Sequence, residues 1–131
     1  MTLHDFRQLR ELELVVTWPS FPYEGLISSI ASTELRKIIF RVTYRVYLGG
    51  FESYGKYWAP IDGQLCGLVG QLCVMGYRHT LEVELQLTKV EDHPGYCDFT
   101  RFLPEFREKG VVTIIDAAHG DRLLHSSIHN R

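Results

Sequence analysis

The chain has 131 residues, of which 45% are hydrophobic, 12% aromatic and 23% charged. That size and balance suit one domain with its own core and exclude a disordered or collagen-like chain. Lys and Arg number 14 against 16 Asp and Glu, a net charge of -2 that offers no basic footprint for nucleic acid and no polybasic membrane anchor.

No apolar run approaches the roughly 18 to 20 residues that span a bilayer. The segment from Met1 to Arg7 carries charge where a secretory signal needs an apolar stretch. Cys66, Cys73 and Cys97 are odd in number and lack paired spacing, so free thiols in a reducing compartment are expected. The expected home is intracellular, cytoplasmic or nuclear.

The first element is a strand over Leu9 to Val16, whose alternation aims Leu12, Leu14 and Val16 one way and Glu11 and Glu13 the other. After Ser20, Pro22 suits a first helical turn and Leu26, Ile27 and Ile30 fall at helical spacing. A second strand over Leu35 to Val42 repeats the pattern of the first, with Leu35, Ile38 and Phe40 in place of Leu9, Leu12 and Leu14. From Tyr44 to Trp58 six aromatics, Tyr44, Tyr47, Phe51, Tyr54, Tyr57 and Trp58, surround Gly49, Gly50 and Gly55. The spacing predicts that the second strand runs on into a hairpin turning at Gly49 and Gly50, its aromatics covering an apolar patch. The alternative is an exposed aromatic surface that stacks on a sugar, a base or a peptide, as in a small α/β ligand-binding protein or enzyme.

The strongest helix is predicted over Trp58 to Met75, where Trp58, Ile61, Leu65, Leu68, Leu72 and Met75 recur at three and four residues. Pro60 suits its first turn and Gly76 its stop. Cys66 and Cys73 read as small core residues beside Leu65 and Leu72, while Gly67 and Gly70 cost about 1 kcal/mol each inside a helix and have no functional account. A third strand over Thr80 to Leu87 alternates most strictly, with Glu82, Glu84 and Gln86 turned to water. A third helix is predicted with Asp98 as cap, Phe99, Phe102, Leu103 and Phe106 on one face, a kink at Pro104 and a stop at Gly110. A short fourth strand covers Val111 to Ile115, and residues 117–131 form a polar tail, read as disordered or as a short cap.

Strands alternating with helices imply parallel pairing through right-handed crossovers, hence an α/β fold. A sheet buried on both faces would show continuous apolar strands, whereas the first and third carry charge on one side. The expected architecture is an irregular solenoid of about four parallel strands with helices on one face, forming one domain over residues 1–116. The pattern Leu9, Leu12, Leu14, repeated as Leu35, Ile38, Phe40, resembles irregular leucine-rich repeats. With Leu26 to Phe40, Ile61 to Leu65 and Phe102 to Phe106, it resembles more narrowly the C-terminal part of the leucine-rich F-box-like proteins of mushroom-forming fungi. That resemblance implies a protein-binding role at the substrate-recognition end of such a protein, without the F-box that docks on a ligase adaptor. It also implies that Thr17, Thr43 and Thr88 stand where regular repeats bury an Asn or Cys. The connections of about 18, 37 and 22 residues are unequal for a regular repeat.

The polar strand faces form an acidic, basic, acidic series: Glu11 and Glu13, Lys37 and Arg41, then Glu82, Glu84 and Gln86. These residues are the candidate interaction surface for a protein partner, and lateral ion pairing between neighbouring strands is the plainer explanation. The third strand is expected to be the least neutralised part. Pairs such as His93 with Cys97 and His125 with His129, and the group Asp116, His119 and Asp121, match no zinc pattern. No metal, cofactor or catalytic residue is expected. An uncovered first strand makes edge self-association an expectation, and fits the last turns of a longer solenoid.

Overall fold

The computed structural model describes residue 3 and residues 5–17, 25–44, 51–89, 102–117 and 120–126; of 44, 51–57, 89, 121 and 123–126 it describes the backbone alone. The strands are β1 (Glu11–Thr17), β2 (Lys37–Tyr44), β3 (Glu82–Lys89), β4 (Val111–Asp116) and β5 (Asp121–Ser126), and the α-helix is α1 (Phe51–Val74). They form one sheet in the order β1-β2-β3-β4-β5. The pairings β1-β2, β2-β3 and β3-β4 are parallel, whereas β4-β5 is antiparallel with a register shift between Ile114 and Ile115. The fold is thus α/β with four parallel strands in one sheet.

Strict alternation sets the register. Leu14, Phe40, Leu85 and Ile114 stand abreast and buried, and Val16, Val42 and Leu87 follow one pleat on. On this apolar face α1 lays Trp58, Ile61, Leu65, Leu68 and Leu72, joined in the same core by Leu26, Ile27 and Ile30 and by Phe102, Leu103 and Phe106. The strands start two residues later than Leu9 and Leu35 because those leucines sit in the turn before each strand. Leu35 is fully buried there, and Leu9 half-buried.

The helix differs from expectation at its start. It begins at Phe51, so Pro60 lies in its interior and the hairpin predicted for 51–58 does not form. An interior proline costs about 3 kcal/mol, but tertiary packing decides most helices. Here Trp58 is 1% exposed, its ring edge-on to Phe40 at 6.0 Å and to Phe102 at 5.3 Å. The other end follows the sequence. Gly76 takes φ +99° with its N–H donating to the Cys73 carbonyl, and the Tyr77 N–H reaches back to the Leu72 carbonyl at 2.9 Å. That pair of bonds is the Schellman arrangement, which favours glycine at the left-handed position.

The two weaker helices contract to 3-10 turns, Ile27–Ser29 and Phe106–Glu108. At the second, Leu103 takes φ +49° ahead of Pro104, a backbone that no α-helix can continue through. The apolar residues are buried as the spacing implied, although Asp98 and Phe99 lie outside the described residues, as do 18–24. Cys66 is half-buried and Cys73 exposed, so Cys73 is not a core residue. Each stands one position past a core leucine, about 100° around the helix. Residues 121–126 extend the sheet beyond the expected boundary at 116, because the turn through Gly120, at φ +72°, folds that part of the tail back onto β4. Among the described residues, no helix is long and apolar enough to cross a membrane.

Candidate functional site

The face of the sheet opposite α1 carries every residue of the expected interaction surface. Register brings them into rows: Glu11, Lys37, Glu82 and Val111; then Glu13, Ile39, Glu84 and Thr113; then Val15, Arg41, Gln86 and Ile115. Parallel, unstaggered pairing is what converts the acidic, basic, acidic order along the chain into a lateral ladder. Lys37 Nζ lies 3.1 Å from Glu84 Oε1 and 3.6 Å from Glu82 Oε1, and Arg41 pairs with Glu13. Among the described residues Glu11 has no ion-pair partner.

The two carboxylates of the third strand share one cation, Lys37, so their charge is not fully compensated. Besides Lys37, Glu82 accepts a hydrogen bond from the Thr113 hydroxyl at 3.0 Å, and Glu84 accepts one from Gln86 Nε2 at 2.6 Å. Nor does Glu84 face water, since the residue is only 8% exposed, in a row with buried Ile39 and buried Thr113. Ile39 interrupts the alternation as the middle of Ile38, Ile39 and Phe40, and that apolar run was the readable sign that this face is not wet at its centre. Burial alone would lower the Lys37 pKa, but its hydrogen bond to Glu84 and the charges of Glu84 and Glu82 hold it above the ordinary value.

Towards the carboxyl ends of the strands the same face opens into a groove of about 300 Å³. Among the described residues it is lined by Val15, Arg41, Thr43, Gln86, Thr88 and Ala117. Thr17, Thr43 and Thr88 lie abreast on this side, with Thr17 and Thr88 exposed and Thr43 half-buried. They therefore do not occupy the buried position that the repeat resemblance implied. The strands simply continue their alternation to the end, which turns these residues outward.

Of the aromatic alternative, the side chain of Trp58 alone is described. Trp58 is in the core, Phe51, Tyr54 and Tyr57 belong to α1, Tyr44 ends β2, and Tyr47 lies outside the described residues. His93, Cys97, His119 and His129 also lie outside them, and the described residues hold no group of three His, Cys, Asp or Glu arranged for a metal ion.

Two structural polar residues escaped the sequence pattern. Asp62, buried within α1, accepts the Phe106 N–H at 2.8 Å and the Glu105 N–H at 3.1 Å, tying the helix to the 3-10 turn. Tyr77 donates its hydroxyl to the Leu35 carbonyl at 2.7 Å, and burial pushes its pKa up to about 12. Both act over long sequence separations, which no local spacing signals. No protein-family model, no curated protein and no solved structure matches this chain.

Proposed function

We propose that the chain is a non-catalytic protein-recognition module, an irregular leucine-rich-repeat-like segment that binds its partner across the polar face of the sheet. The observation that carries this reading is the face itself. Its charged residues stand in register over three neighbouring strands, β1 to β3, and the described helix and turns lie on the opposite side. Sheet order that follows chain order, with the described connecting elements packed on one side, also supports the solenoid. The unequal connections and the outward threonines make it an irregular one. On the sequence resemblance, the module is the recognition end of an F-box-like protein.

The partner's chemistry follows from what the ladder leaves uncompensated. One Lys37 serves two glutamates, and Glu11 stands beside it, so the amino ends of the strands keep an acidic excess that suits a basic contact. The carboxyl ends offer Arg41, Gln86 and threonine hydroxyls around the groove, which suit polar groups of a peptide. Affinity capture from native extract tests this. Arg41→Glu with Gln86→Ala is expected to lower recovery of the partner at least about tenfold, and Gln71→Glu on the exposed side of α1 to leave it unchanged. Equal recovery by all three proteins overturns the reading.

A further inference from the structure

Among the described residues the two edges of the sheet are finished differently. β5 closes one edge by antiparallel pairing with a register shift, a device that bends and disrupts an edge. β1, at the other end of the order, is seven residues of regular strand, and its pairing with β2 runs without a shift from Glu11 to Thr17. The Arg10 carbonyl accepts the N–H groups of Arg36 and Lys37, which fixes the phase of the ladder. Leu12, Leu14 and Val16 thus give their peptide groups to β2, and Glu11, Glu13, Val15 and Thr17 direct theirs to the outer edge. Val15 is 60% exposed, and Leu12 is only half-buried at this end of the core.

We propose that a second copy of this chain docks on that edge, β1 against β1, antiparallel and centred on Leu14. Centred there, the outward-directed residues face one another in hydrogen-bonded pairs, Glu13 with Val15 of the second copy and Glu11 with its Thr17, so that no like charges are opposed. On the other side Leu14 stands opposite Leu14 and Leu12 opposite Val16; Leu14 and Val16 are already buried within each copy, so there the half-buried Leu12 is the residue that gains cover. Centring on Glu13 instead would place the two Glu13 carboxylates directly opposite, which is unfavourable. The two-fold axis is perpendicular to the sheet, so both copies keep α1 on the same side and their polar faces become one continuous surface. This inference does not depend on the recognition role: the dimer stands or falls on the edge alone.

Sedimentation of the full chain, from low micromolar to near-millimolar concentration, tests it together with two substitutions at the exposed Val15. The wild type is expected to dimerise reversibly. Val15→Glu sets two glutamate pairs in opposition across the junction and is expected to weaken the dimer about tenfold. Val15→Lys faces Glu13 of the second copy and is expected to keep or tighten it, although a lysine on a sheet edge ordinarily blocks pairing. Circular dichroism of both variants is expected to match the wild type. A wild type that stays monomeric throughout, or equal weakening by Val15→Lys and Val15→Glu, overturns the proposal.

Discussion

The two faces of the sheet share one backbone and one register, yet they are held by different forces. On the side of α1, the row of Leu14, Phe40, Leu85 and Ile114 is excluded from water together with the ring of Trp58. Burial of a side chain of that class is worth about 1.5–3 kcal/mol. On the opposite side Glu13 with Arg41, Lys37 with Glu82 and Glu84, Gln86 with Glu84 and Thr113 with Glu82 form ion pairs and hydrogen bonds, each of which exchanges bonds to water for bonds to protein. The net worth per contact is about 0–1 kcal/mol where exposed. The first face secures the fold, and the second is the one on which the proposed recognition rests.

Substitutions on each side separate these contributions. Trp58→Ala removes the ring that bridges Phe40 and Phe102 and is expected to cost about 3–5 kcal/mol in denaturant unfolding. A loss below 1 kcal/mol would mean that the core does not close around the indole. Within the polar face the two basic residues are expected to differ. Lys37→Met leaves the carboxylate of Glu84, whose side chain is 10% exposed, without its cation and should cost about 1–2 kcal/mol. Arg41→Met breaks a pair whose side chains are 60% and 43% exposed, and should change stability by less than about 0.5 kcal/mol. Equal losses at the two positions would erase the distinction between the centre of the face and its rim.

The smallest expected effect is a gain. A Cβ added at Gly67 or Gly70 meets no atom within 4 Å, and both positions lie on the exposed side of α1. Gly67→Ala and Gly70→Ala should each stabilise the protein by about 0.5–1 kcal/mol, read as a rise in melting temperature. A loss at either position would assign that glycine a contact on the helix surface.

Strands were legible wherever one face was apolar and the other polar, because a period of two survives any tertiary context that keeps a single face buried. The aligned charges of Lys37, Glu82 and Glu84 were legible for the same reason, once parallel pairing was inferred. Three kinds of feature were not. The start of α1 was hidden because Pro60 reads as a first turn until the burial of Trp58 outweighs it. The turn at Phe106–Glu108 was hidden because its apolar spacing mimics a helix while Leu103 and Pro104 forbid one. Asp62 and Tyr77 were hidden because each finds its partner more than forty residues away. The centre of the polar face lay between these cases: Ile39 announced burial, but only register shows that it shares a row with Glu84 and Thr113.

Recognition across the polar face is tested most directly by placing a photo-crosslinking residue at Gln86, in the third row of the ladder, and in a separate protein at Gln71 on α1. Irradiation in native extract is expected to yield a discrete adduct with a protein other than a second copy from position 86, reduced by Arg41→Glu, and none from position 71. The same adduct from both positions, or from position 71 alone, would contradict the assignment of recognition to the polar face.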